Sequence, residues 1–120
     1  MHFYPFVKMY FIRIYVNMDR IDQLKELLRE NPGDPELQFM IALELKDQDP
    51  VRSKTILLDL IQHAPSYLPA YFITAELLFG LDETGKALEI VKAGIDLAIK
   101  SGNKKTLQEL KNLEDEIDEG

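Results

Sequence analysis

The sequence contains no cysteine, and its only two histidines are His2 and His63. The lack of cysteine excludes a disulfide scaffold, zinc thiolate sites, iron–sulfur clusters and thiol nucleophiles. It also fits a reducing compartment, so we expect a cytoplasmic protein. His63 precedes Pro65 near a predicted helix end, where a histidine usually interacts with the exposed carbonyls and the helix dipole.

The sequence also lacks the short motifs of catalysis and cofactor binding. The six glycines are scattered and form no phosphate-binding loop, and no H-E-x-x-H motif occurs. Asp47, Asp49 and Asp59 do not follow a calcium-loop pattern, because Pro50 and Val51 replace the required glycine and ligands. We therefore expect no enzyme activity, no cofactor and no metal, and we assign no catalytic, cofactor-binding or metal-ligating residue.

Basic residues are few relative to acidic ones. The 120-residue chain has 14 Lys and Arg against 21 Asp and Glu, which gives a net charge of −7. An acidic chain without a basic stripe is a poor ligand for nucleic acid or for an anionic membrane, so neither is an expected partner. The length is typical of one domain.

The N-terminal segment 1–17 differs from the remainder in composition. It is rich in aromatic and aliphatic side chains and contains Lys8 and Arg13 but no acid, whereas 18–120 carry a net charge of −9. The run is shorter than the roughly 20 residues of a membrane span, and Arg13 interrupts the apolar core that a signal peptide needs. Two alternatives stay open: a packed N-terminal helix or extended segment, or upstream sequence ahead of a natural start at Met18. In either case we expect 1–17 to be dispensable for the folding of 18–120.

Residues 18–120 show helical periodicity throughout. Apolar residues recur at three- and four-residue spacing, and turns rich in Pro, Gly, Asp and Asn separate the periodic segments. Asp34 and the pair Thr106 and Glu109 are candidate N-terminal caps. The pattern predicts an all-α fold with short connections between antiparallel neighbours. The predicted helices span about 19–30, 36–46, 50–63, 69–80, 84–100 and 103–118.

The helices also repeat along the chain, with a period of about 34 residues, which lies in the range typical of helical repeat proteins. At this offset Ser53 falls on Ala87 and Leu57 falls on Val91, while in the preceding helices Ala42 falls on Ala75 at an offset of 33. Small residues at matching positions allow two helices to approach closely, and large neighbours then fill the groove.

This pattern of helix pairs resembles the tetratricopeptide repeat family, in particular small two-repeat proteins of bacterial type. Gln38 and Thr74 depart from the family pattern, and no proline closes the second copy. The resemblance implies a short right-handed α–α superhelix of antiparallel helix pairs with a C-terminal capping helix. The implied units of the 18–120 domain are a half repeat at 19–32, repeats at 34–66 and 67–100, and a capping helix at 103–118.

The resemblance further implies a protein–protein interaction module or scaffold that binds a partner protein, a peptide or a second copy of itself through its concave face. An accessory or regulatory subunit of an enzyme complex, without its own catalysis, is the alternative. The residues expected to line the concave face could instead pack within the chain. They are Phe39, Met40, Leu43, Phe72, Ile73, Glu76 and Phe79.

Overall fold

The computed structural model describes residues 20–120, so the predictions made for residues 1–17 lie outside the described residues. The described part contains six helices and no strand, which confirms the all-α fold class. The helices are α1 (Arg20–Glu30), α2 (Pro35–Leu45), α3 (Pro50–His63), α4 (Pro69–Gly80), α5 (Thr84–Ser101) and α6 (Lys104–Glu119).

Side-chain caps or prolines mark the starts of α2, α3 and α4. The side chain of Asp34 accepts hydrogen bonds from the N–H groups of Glu36 and Leu37, as expected for an N-cap residue. A proline occupies the start of α2, α3 and α4, where its missing N–H costs no helical hydrogen bond.

The predicted capping box of α6 is wrong. Asn103 is the N-cap, and its side-chain oxygen accepts a hydrogen bond from the N–H of Thr106 at 3.0 Å. Gly102 precedes it with φ of 69°, the left-handed conformation in which helices often end. Thr106 therefore lies inside the first turn of α6, and the turn 102–103 reverses the chain.

Each helix packs against the next one in sequence, and α4 also contacts α6. The molecule is elongated, with principal dimensions of 66 × 28 × 22 Å. The proposed repeat boundaries at residues 34 and 67 lie in the turns before α2 and α4. The arrangement is a helical-repeat superhelix, in which each helix pair contacts mainly its neighbours.

Small residues lie at the helix contacts, as the repeat predicts. Ala42 is fully buried, and the hydroxyl of Ser53 donates a hydrogen bond to its carbonyl oxygen at 2.7 Å, which joins α2 to α3. Ala75 and Ala87 are likewise fully buried, in one cluster that joins α4 to α5.

The last helix covers the end of the array. Its apolar stripe of Leu110, Leu113 and Ile117 is buried among residues of α4 and α5. A repeat array without such a helix would expose the apolar side of its final pair.

Candidate functional site

The seven residues predicted to line the concave face lie on α2 and α4. Glu76 is exposed, whereas the six apolar members are half-buried. On α2 these are Phe39, Met40 and Leu43, and on α4 they are Phe72, Ile73 and Phe79.

The residues on α2 are partly used in packing within the chain. The ring of Phe39 meets that of Tyr67 edge-on, with centroids 5.5 Å apart and an interplanar angle of 64°. Met40 packs beside Leu24 of α1 and Ile41 of α2. These contacts favour, for Phe39 and Met40, the alternative of packing within the chain.

The apolar residues on α4 also contact neighbouring helices. Phe72 packs against a cluster that contains Leu110 of α6, and Ile73 packs against a cluster that contains Ala42 of α2. The ring of Phe79 lies beside the last residue, since a Cβ placed on Gly120 would be 2.8 Å from its Cζ. Glu76 is therefore the member of the predicted set that is most available to a partner.

A pocket of about 320 Å³ opens beside Glu76, between the turn that joins α2 to α3 and the C-terminal half of α4. Glu76 is the only lining residue that the sequence predicts to bind a partner, because the others lie in turns or near helix ends that the repeat pattern does not single out. The lining residues are Lys46, Asp47, Pro50, Glu76, Leu77, Gly80 and Leu81.

The pocket combines apolar side chains with carboxylates. Within residues 20–120, neither Asp47 nor Glu76 forms an ion pair. By contrast, Lys54 on α3 pairs with Glu83 before α5 at 2.8 Å and links the two helix pairs. The charged side chains that line the pocket are one base, Lys46, and two acids, Asp47 and Glu76. Residues 20–120 as a whole carry 12 basic and 20 acidic side chains, a net charge of −8.

Two tyrosines before and within α4 have perturbed ionisation. Burial raises the pKa of Tyr67 above its usual value of 10.0, and the nearby charges of Glu36 and Asp34 raise it further. Burial also raises the pKa of Tyr71, whose hydroxyl donates a hydrogen bond to the carbonyl of Pro65 at 2.5 Å. Both tyrosines are therefore neutral near pH 7, and the hydroxyl of Tyr71 ties α4 to the turn that precedes it through Pro65.

In the part of the chain that the structure describes, no group of three or more His, Asp or Glu side chains could hold a metal ion. His63 lies at the end of α3 with its Nδ1 2.9 Å from the carbonyl oxygen of Asp59. Between residues 20 and 120, no helix is long and apolar enough to cross a membrane.

Comparison with known proteins identifies the fold through solved structures. No protein-family model and no curated protein matches the chain. The crystal structure of a tetratricopeptide repeat domain protein from Salinibacter ruber is similar, with 28% identity and a TM-score of 0.67, over 71% of this chain and 97% of that chain.

Two further solved structures match a larger share of this chain. The TPR2B domain of yeast Sti1, solved in a complex with pHsp70, has a TM-score of 0.78 at 19% identity, over 93% of this chain and 90% of that chain. A protein from Bordetella parapertussis has a TM-score of 0.73 at 16% identity, over 84% of this chain and 89% of that chain.

Proposed function

We propose that this chain, whose fold is that of tetratricopeptide repeat domains, is a protein-interaction module that binds a partner protein through the concave side of α2 and α4. The observation that carries the proposal is the exposed Glu76 beside a pocket of about 320 Å³. The yeast domain supports a general role in protein binding, because it was solved as a complex with pHsp70.

The chemistry of the pocket favours a particular partner segment. Leu77 and Leu81 supply apolar surface, and the carboxylates of Asp47 and Glu76 lie at the same pocket. An apolar side chain next to a lysine or arginine would bury carbon against the leucines and place its cation near the carboxylates.

A free C-terminal carboxylate on the partner would be a poor ligand for this pocket. Two acidic side chains line it and Lys46 is the only basic one, so an added negative charge would be repelled overall.

The test compares the wild-type chain with Glu76→Lys. Proteins from the native cell that the wild type enriches are identified by mass spectrometry, purified, and titrated against both chains by calorimetry. We expect Glu76→Lys to weaken binding by about tenfold or more, because charge reversal removes an attraction and adds a repulsion.

Asp96→Lys is the matched control, since Asp96 is an exposed acid on α5 and does not line the pocket. It changes the net charge by the same amount. Equal affinity of Glu76→Lys and wild type, or equal weakening by both variants, would contradict binding at this pocket. Enrichment of an enzyme whose activity depends on the chain would instead favour the accessory-subunit alternative.

A further inference from the structure

Leu27 on α1 is 49% exposed, although the equivalent positions in the other helix pairs are buried. The pairs Asn31-Pro32 and Ala64-Pro65 align α1 with α3 at an offset of 33, which places Leu27 on Leu60. The offset of 34 then places Leu60 on Gly94. Leu60 is only 1% exposed, and Gly94 is buried.

The alignment also holds at a neighbouring position. Leu24 falls on Leu57, which falls on Val91, and these three side chains are 3%, 0% and 0% exposed. The side of α1 that carries Leu24 is therefore as buried as in the other pairs, and only the side that carries Leu27 is more exposed.

The contacts of Gly94 and Leu60 explain which side that is. A Cβ on Gly94 would lie 2.9 Å from the Cβ of Tyr71 on the preceding helix α4 and 3.1 Å from Cδ1 of Leu110 on the following helix α6. Leu60 shares a cluster with Ala42 of the preceding α2 and Ala70 of the following α4. This position is thus covered from both sides in α3 and α5.

Helix α1 has only one such neighbour within residues 20–120. Leu24 and Leu28 pack against Ile41 of the following helix α2, but no described helix precedes α1. In the repeat register, Leu27 corresponds to the positions that the preceding helix helps to cover in α3 and α5.

We propose that residues 1–17 of the same chain dock on the Leu27 side of α1 and cover it. The segment directly precedes α1, and it is long enough for a helix of 11 residues, the length of α2, followed by a short turn. It is apolar, and Lys8 and Arg13 oppose the net charge of −8 on 20–120. Covalent attachment also gives it a high effective concentration, which a second copy lacks.

The chain contains no cysteine, so a single introduced thiol reports burial at one position. We compare the rate of thiol labelling of Leu27→Cys in the full 120-residue chain with that of Val51→Cys and Ile99→Cys. These two controls stand at exposed apolar positions on α3 and α5, 59% and 58% exposed. Docking predicts labelling at least about tenfold slower at position 27, since the thiol reacts only when the cover opens.

Two further measurements identify the occupant. Protection by the chain's own segment is independent of protein concentration and is lost when Phe6→Asp and Phe11→Asp are added, with helicity checked by circular dichroism. Labelling at position 27 as fast as at position 99 would overturn the proposal. Protection that disappears on dilution would assign the surface to a second copy, and protection that survives the two Asp substitutions would also exclude the segment as the cover.

Discussion

Single small residues control how closely the helices of this protein approach one another. Ser53 and Ala87 occupy the same position of the repeat, and both are fully buried at the contact with the preceding helix. Ser53 also forms a hydrogen bond to the carbonyl of Ala42, while Ala87 makes the corresponding contact through packing alone. Size, more than polarity, is what this position requires.

A larger side chain at Ala75 or Ala87, which share the contact between α4 and α5, should therefore destabilise the fold. We expect Ala75→Leu and Ala87→Leu each to lower the free energy of unfolding by about 1–3 kcal/mol, the usual cost of overpacking a core. Thermal and urea unfolding measure it. Ala93→Leu, at an exposed position on α5, is the control. Unchanged unfolding midpoints for both Ala75→Leu and Ala87→Leu would mean that the repeat register is wrong.

Gly94 provides a second test of close approach. Its missing side chain leaves room for Tyr71, so a methyl group would push α4 and α5 apart. We expect Gly94→Ala to destabilise by about 1 kcal/mol or more, because strain against a Cβ outweighs the higher helix propensity of alanine. Gly85→Ala, where no atom lies within 4 Å of the added methyl, should be neutral or stabilising. Equal effects of the two changes on the urea midpoint would contradict this account.

At the scale of the helices, turns and caps determine the direction in which each pair closes. Gly102 and Asn103 together reverse the chain between α5 and α6, and this reversal brings Leu110 and Leu113 onto the preceding helices. The sequence predicts the break at 101–103, but its capping-box pattern points to Thr106 as the cap. Both Asn103 and Thr106 belong to the residue types that can cap a helix, so only the backbone geometry distinguishes them.

The cap assignment has a measurable consequence. We expect Asn103→Ala to reduce the free energy of unfolding by about 1 kcal/mol, since the N–H of Thr106 loses its partner. Thr106→Ala should cost less, because this residue lies inside the first turn, where alanine is the better helix former. Chemical denaturation of both variants measures which one loses more free energy of unfolding. A larger loss for Thr106→Ala would support Thr106 as the cap of α6.

At the scale of the whole molecule, the most exposed apolar side chains among the described residues lie outside the predicted concave face. Among residues 20–120, the large hydrophobic side chains that are strongly exposed are Leu27, Val51 and Ile99, on α1, α3 and α5. The six apolar residues of the predicted concave face are half-buried. The concave face thus offers less free apolar area than the sequence suggested, and self-association remains a prediction.

A chain that starts at Met18 tests both folding and association. We expect it to keep its helical circular dichroism and a cooperative melt, because the core clusters described above are built from residues 20–120. Loss of helicity would show that the segment 1–17 is required.

The same shortened chain should also associate. Light scattering at micromolar concentration should show a dimer, since an uncovered apolar surface can pair with its own copy. A monomer that binds no apolar dye would exclude this association.

The sequence by itself determined the helices, their order and the sites of tight packing. These properties depend on local periodicity, on prolines and turn residues, and on small residues such as Ala42 and Ala75 at a fixed spacing, all of which can be read along one chain. Only the tertiary structure decided which apolar residues remain accessible, because exposure depends on neighbours that are distant in sequence. Phe72 and Phe79, which the sequence predicts to face a partner from α4, also pack against residues of α6. Leu27 looks like a core residue of α1 until the packing of the described helices leaves one of its sides uncovered.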